Sequence, residues 1–480
     1  MSARANDNLS ASVPTDMRPG SRPGRRIAVI GGGIAGLGAA WLLQQRHEVT
    51  LYEREPRLGG HSHTVEAPCG DGRTVPVDTG FIVYNERNYP NLRALFAHLK
   101  VPTRPSDMSF SVSVEDGRLE WAGESLLKLF GQPRNLLRPG FHRMLRDILR
   151  FNRDARHALQ HGNVDDMSLG RFLAAQGYGP ELARDYLLPM GAAIWSAPTS
   201  AMTTFPAESF LRFFDNHGLL DLSDRPRWRT VDGGSRSYVD RLAASLGPAV
   251  ARTGCAAQRI SRDRNGTVVT DRTGHRARYD EVVLACHADE ALALLADPDP
   301  EEAYSLSAIR FQENEAVLHS DPALMPRRRR LWSSWNYLSA GGQAAGRVSV
   351  SYWMNRLQGI DRRFPLFVTL NPQRPPAADA QIGRFVYHHP VFDRRACEAQ
   401  ARLARLQGLR RTWYCGAWLG YGFHEDGLSS AIAVARALGV APPWPTAIPP
   451  AGGRHGNEPG DDAMVSLRGI AAPDRLVRTA

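Results

Sequence analysis

The short apolar run at 27–30, with arginines before it and glycines after it, has the length and branched content of a strand buried on both faces. Apolar positions then recur at helical spacing through 34–46, and a second short apolar run follows at 49–53. Strand, helix and strand in that order predict a βαβ unit. An aromatic-rich pattern over 86–220 predicts helices, 234–247 predicts another helix, and 265–286 predicts hairpin strands ending in Val282-Val283-Leu284-Ala285. Strand-like runs return within 305–390, among them 347–354 and 365–370, and 412–415 precedes a helix over 427–438. Residues 1–24 and 441–480 are polar and rich in Pro, Gly or charge, which predicts disordered tails. Segments around the βαβ-like strands (25–85, 228–300 and 405–440) alternate with other material (86–227 and 301–404), so two interleaved, discontinuous domains are expected.

Composition narrows the class. With 480 residues, 42% hydrophobic and 22% charged, the chain is neither disordered nor collagenous. Its five cysteines form no CxxC pair, which excludes a disulfide scaffold and a zinc framework. The net charge of +10 comes almost wholly from arginine, because the only lysines are Lys100 and Lys128. That balance favours anionic partners such as phosphates, acyl carboxylates or membrane surfaces, but no nucleic-acid reader motif accompanies it. Arg25-Arg26 before the apolar run imitates a twin-arginine or anchor signal, yet five glycines between 31 and 38 interrupt it and it is too short to span. The expectation is a soluble, cytoplasmic protein.

Gly31-Gly32-Gly33-Ile34-Ala35-Gly36 matches GxGxxG where the first strand hands over to the helix. Gly31 permits the tight turn, Gly33 lets backbone approach a pyrophosphate, and Gly36 lets helix and sheet pack closely. The helix N-terminus, through Ile34 and Ala35, then faces the phosphates. Glu53 lies 22 residues beyond Gly31, where a carboxylate accepts hydrogen bonds from an adenosine ribose and repels a 2′-phosphate.

Arg57-Leu58-Gly59-Gly60-His61 follows closely. Here the sequence resembles the FAD-binding amine oxidase and phytoene desaturase superfamily, with its GxGxxG, acidic residue and Gly-Gly pair. Val231-Asp232-Gly233-Gly234-Ser235, the segment 280–286, and Tyr414-Cys415-Gly416-Ala417 with Asp426-Gly427-Leu428-Ser429-Ser430-Ala431 are similar to further segments of that superfamily. The stretch from Val77 to Pro90, Asp78-Thr79-Gly80-Phe81 included, resembles a bacterial group of NAD/FAD-binding oxidoreductases that is similar to the flavin domain of plant cyclopropane fatty-acid synthases. The resemblance implies an α/β fold: a Rossmann-like FAD-binding domain of glutathione-reductase type, interleaved with an α+β substrate domain. It implies noncovalent FAD held by Gly31, Gly33, Ile34, Ala35, Gly36, Glu53, Gly59, Gly60, His61, Gly80, Phe81, Gly416, Gly427 and Leu428, with the last helix N-terminus stabilising charge on reduced flavin. The sequence departs from the pattern in three places. No lysine follows Lys128 to hold a water at the flavin, His61 stands where the family has arginine, and Ala417 where it often has an acid. An amine oxidase activity is therefore not carried over.

Three residues are candidates for chemistry. Tyr84 and Asn85 end an apolar strand that reaches toward the flavin, with an Asn-capped turn as the other reading. His424, in Gly420–Gly427, is a candidate acid or base, with helix capping beside Glu425 and Asp426 as the other. Trp332, Trp335, Tyr337 and Tyr352 suit an apolar slot or sheet packing, and His61-x-His63 and His388-His389 lack the partners a metal site requires. The helix over 141–157 has Arg143, Arg146, Arg150 and Arg153 on one side and Phe141, Met144 and Phe151 on another, which suits either core packing or an anionic bilayer. Arg327–Arg330 reads as a solvated loop. Together these features predict an FAD-dependent oxidoreductase acting at carbon on a small apolar substrate, with lipid or fatty acyl chains suggested by the resemblance, and peripheral contact at the inner membrane surface. The alternatives are a flavin-dependent isomerase without net redox, and a non-catalytic flavoprotein partner of a lipid-modifying methyltransferase.

Overall fold

The computed structural model describes residues 24–445, apart from 71, 163, 165, 222–224, 248 and 340–348. The stretches read as tails therefore lie outside the described residues, except for Gly24 and 441–445. Strand β1 (Arg26–Ile30), helix α1 (Ile34–Leu43) and strand β2 (Glu48–Tyr52) form the expected βαβ unit, β1 and β2 being parallel. All ten residues of α1 are buried, which explains its nearly continuous apolar sequence. The parallel sheet is completed by Ala251–Arg252 outside β2, by Glu281–Leu284 on the other side of β1, and by Thr412–Tyr414 beyond that. Helix His424–Ala437 packs with α1 in one core, and Ala288, Leu306 and Leu403 cover the opposite face of the sheet.

A second sheet has seven strands, built from Phe110–Val114, Leu119–Ala122, Arg310–His319, Trp335–Ser339, Ser349–Trp353, Phe367–Leu370 and Gln381–Val391. Helices between Pro139 and Asn216 share its core through Phe151, Phe210, Phe214 and Val350.

Three expectations need correction. Residues 86–220 are not all helical, because Phe110–Val114 and Leu119–Ala122 join the seven-stranded sheet. In Phe110–Val114 the alternation of Val with Ser is strand periodicity, and the buried Ser111 and Ser113 hydroxyls donate to Asn336 (2.7 Å) and Glu120 (3.0 Å). The segment ending at Leu284 is a central parallel strand and not a hairpin arm. The last helix begins at His424 and not at 427, so Glu425 and Asp426 lie in its first turn, where carboxylates favour a helix start.

The crossover depends on close backbone contact. A Cβ on Gly36 would lie 1.7 Å from the Gly31 carbonyl oxygen, whereas one on Gly33 would meet nothing within 4 Å. Gly36→Ala is expected to cost more than about 3 kcal/mol of stability. Gly33→Ala, at φ −75°, should stay within about 1 kcal/mol of wild type. Urea unfolding midpoints of the two variants check this.

Candidate active site

A cavity of about 1690 Å³ runs from the C-terminal end of the parallel sheet to the seven-stranded sheet. Small-molecule pockets usually hold about 300–1,000 Å³, so there is room for a dinucleotide and a substrate together. One end is lined by Gly31, Gly33, Ile34 and Ala35. Gly31 turns the chain at φ +107°, and its N–H donates to the Tyr52 carbonyl at 2.8 Å. Helix α1 has no side-chain cap and no acidic residue in its first turn, so its N-terminal N–H groups face the cavity without a compensating anion.

Glu53 follows β2 and also lines the cavity. Its Oε2 accepts from the Gly32 N–H at 2.6 Å and its Oε1 from the Glu55 N–H at 2.8 Å, which fixes the carboxylate beside the glycine turn. Gly59 and Gly60, at φ +111° and +56°, fold back onto that turn, where the Gly59 N–H donates to the Gly32 carbonyl at 2.8 Å. The next loop comes closer still: a Cβ on Gly80 would lie 2.1 Å from the His61 carbonyl oxygen. His61, Phe81, Gly416 and His424 complete this half of the wall. An uncapped helix end, an open glycine and a fixed carboxylate in one groove fit the diphosphate and ribose of a dinucleotide.

Other expected residues sit elsewhere. Tyr84 and Asn85 are not in the cavity lining. Tyr84 packs against Tyr89 and Phe96, and Asn85 is fully buried, its Oδ1 accepting from the Arg87 (3.0 Å) and Asn88 (2.7 Å) N–H groups. The Asn-capped turn is what the structure shows. Gly36, Gly427 and Leu428 are also outside the lining. Gly427 faces the Ile34 side chain and Leu428 faces Gly38, so they set the approach of the last helix to α1.

His424 does line the cavity, stacked on Phe81 with ring centroids 3.7 Å apart. Its Nε2 lies 2.9 Å from Ser62 Oγ and 3.1 Å from Tyr238 OH. Burial pushes this imidazole down to about 3, so at neutral pH it is uncharged and cannot act as an acid. The carboxylates after it are occupied too. Glu425 accepts from the Asn91 and Leu92 N–H groups, both at 2.9 Å, and so caps the helix Pro90–His98. Asp426 accepts from the Phe423 N–H at 2.9 Å. The positive end of this helix is thus largely answered by its own first turn.

Two of the histidine pairs seen in the sequence converge here: His61 has Tyr387, His389 and His287 around it, with ring centroids at 5.2, 5.3 and 6.4 Å. His389 is pushed down to about 4 by burial and by its neighbouring imidazoles. Among the described residues no group of three or more His, Cys, Asp or Glu side chains is placed to hold a metal. Cys415 is buried outside the lining, its thiol pushed up to about 12. Asp78 was unforeseen as an anchor. Fully buried, it accepts from Thr64 Oγ1 (2.6 Å), the Ser235 N–H (2.8 Å) and Gln358 Nε2 (3.1 Å), tying the loop before Gly80 to the helix Arg236–Ser245.

Comparison with known proteins agrees with this geometry. Residues 34–317, more than half of the chain, match the family described as flavin-containing amine oxidoreductase. The chain belongs to that family. AofH of Mycobacterium tuberculosis, named as a flavin-containing monoamine oxidase, is 30% identical over 288 residues, covering 57% of this chain and 59% of that protein. The chain therefore matches less than two thirds of the length of this curated relative. Carotenoid phi-ring synthase of Streptomyces griseus is 39% identical over 135 residues, 26% of this chain and 25% of that one. Among solved structures, a fatty acid isomerase from P. acnes that produces CLA aligns with a TM-score of 0.61 at 17% identity, over 87% of this chain and 99% of its own. Cyclohexylamine oxidase from Brevibacterium oxydans aligns with a TM-score of 0.63 at 16% identity, over 87% and 100%. These likenesses establish the fold, a Rossmann-like FAD domain with a substrate domain, and the cofactor of this flavin-containing amine oxidoreductase family member is FAD. No helix among the described residues is long and apolar enough to cross a membrane.

Two outcomes follow from the site. Glu53→Ala is expected to lower the flavin retained after gel filtration at least about tenfold, the loss of a charge-assisted hydrogen bond. The second concerns acid. His63, His217, His319 and His389 are pushed down to about 4 and His424 to about 3, so they stay neutral in the fold where an unfolded chain binds protons below about 6.5. Asp78 and Asp426, pushed up to about 6, and Glu425, to about 7, act the opposite way, holding protons the unfolded chain releases above about 4. Near pH 5 these five imidazoles, joined by His61, which burial pushes well down, outweigh the three carboxyls, so unfolding takes up protons net. Stability should therefore fall on acidification there, by about 2 kcal/mol or more between pH 7 and pH 5, read from urea midpoints at the two values.

Proposed function

We propose that this flavin oxidoreductase acts at carbon on an apolar substrate, a lipid or fatty acyl chain, by dehydrogenation or its reverse. The observation that supports this is the wall of the cavity beyond the glycine segments. Ile194, Trp195, Phe213, Trp335, Tyr352 and Phe423 line it, and neither of the chain's two lysines does. Burial raises the Tyr352 phenol, so it too is uncharged. Such a wall takes up hydrocarbon and excludes water.

Bound FAD supplies the two-electron acceptor: one C–H bond yields a hydride equivalent, the adjacent carbon yields a proton, and a double bond forms between them. The chain's residues orient the substrate and place uncharged imidazoles, those of His61, His389 and His424, around the reaction space. Burial leaves these imidazoles poor proton acceptors, and the released proton is taken up together with the hydride equivalent on full reduction of the flavin. The fatty acid isomerase that shares the fold and the carotenoid synthase that shares part of the sequence both carry names consistent with lipid-like substrates.

Anaerobic mixing of the purified protein with unsaturated and saturated acyl lipids, and separately with benzylamine and putrescine, tests the proposal. Loss of the yellow flavin absorbance with an acyl lipid and none with the amines is the expected result. Bleaching by an amine alone contradicts it. A product with a shifted double bond, formed without bleaching and without an electron acceptor, replaces the redox reaction by isomerisation.

A further inference from the structure

Four leucines within one twelve-residue stretch stand open to solvent: Leu126 is 76% exposed, Leu127 88%, Leu136 56% and Leu137 87%. Single exposed apolar side chains are ordinary, whereas several large ones crowded together mark a contact surface. The stretch is firmly held. Phe130 packs edge-on against Phe141 at 5.7 Å, Asn135 Nδ2 donates to the Glu120 carbonyl at 2.9 Å, and Gln132 Nε2 donates to the Gly117 and Arg118 carbonyls at 3.1 Å. The leucines are therefore displayed by a fixed framework.

Cations gather beside them. A surface pocket of about 610 Å³ is lined by Arg118, Arg134, Arg138, Arg327 and Arg328, with only Glu115 and Asp116 as acids. Arg118 pairs with Glu115, and Arg328 with the buried Glu120 at 2.5 Å. Among the described residues neither Arg134 nor Arg327 is in an ion pair, so both guanidiniums are available to an outside anion. The segment also adjoins the large cavity: Gly123 and Glu124 are in the cavity lining, and Leu126 follows two residues later. Helix Pro139–His161, whose amphipathic pattern suited a bilayer, instead buries Phe141, Met144 and Phe151 in the core.

We infer that the face formed by residues 126–138 with Arg327 and Arg328 docks on a bilayer surface containing anionic lipid, beside one end of the cavity. Leucine side chains enter the acyl boundary, and the arginines take headgroup phosphates. A second copy of the chain is a poorer occupant, because a two-fold contact through this face would bring two arginine clusters together. The inference deepens the acyl-substrate reading, since a substrate held in the bilayer would reach the cavity without crossing water.

Flotation of the holoprotein with vesicles tests it. At low salt the protein should float with phosphatidylcholine vesicles containing phosphatidylglycerol, and at least about tenfold less with phosphatidylcholine alone. Replacing Leu126, Leu127, Leu136 and Leu137 together by Ser should cut flotation by about tenfold or more, with bound FAD unchanged. If that variant loses FAD and so its fold, Arg134→Glu with Arg327→Glu decides the matter by the same readout and the same expected loss. The inference is overturned if wild type stays unbound at low salt, if a FAD-retaining variant floats like wild type, or if sedimentation shows a dimer that the leucine changes dissociate. Vesicle binding is read without turnover, so failure of the acyl-substrate proposal and failure of this one are separate results.

Discussion

Everything in this site follows from backbone meeting backbone where no side chain fits. Gly36 lies against Gly31, Gly60 against Gly33, and Gly80 against His61, so two following loops close on the glycine turn at the start of α1, one directly and one through His61. The contact leaves the helix N-terminus uncapped and facing the cavity, a partial positive charge that protein interiors normally satisfy. At Gly36 and Gly80 an added methyl group collides with a carbonyl and not with a flexible side chain, so neither contact can yield by a side-chain rotation.

Around this contact, buried acids hold the loops in place. Asp78 joins strand Thr74–Asp78 to Ser235 and to Gln358, and Glu425 joins the last helix to the start of Pro90–His98. Both carboxyls are pushed up by burial, which shows that the hydrogen bonds they receive only partly offset the loss of water. The seven-stranded sheet supplies the opposite wall, apolar and aromatic, so one cavity has a polar, glycine-rich end and a hydrocarbon-like end. That polarity fits a charged dinucleotide at one end and an apolar substrate at the other.

The phosphate end was legible in the sequence because its signal is local. GxGxxG, the apolar strand before it and Glu53 all lie within one βαβ unit, where spacing alone sets geometry. The anchors were not, since Asp78 and Gln358 are 280 residues apart and nothing in either neighbourhood announces the other. Tyr84 and Asn85 misled because a two-residue strand leaves the direction of its side chains open, and the core took them. The last helix was expected only from Gly427 because the polar His424, Glu425 and Asp426 carry no apolar periodicity, although Glu425 and Asp426 are first-turn residues of the usual kind. The ring cluster around His61 draws on Tyr387 and His389 of one strand and His287 after another, a convergence only the fold creates.

The central claim is that the diphosphate of FAD is anchored at the start of α1. Comparing the affinity of the flavin-free protein for FAD and for riboflavin, by quenching of flavin fluorescence, tests it most directly. Charge-assisted hydrogen bonds to the helix N-terminus predict that FAD binds about a hundredfold tighter or more. Equal affinities would contradict the account, since the ring system alone would then hold the cofactor and the glycine groove would have no ligand.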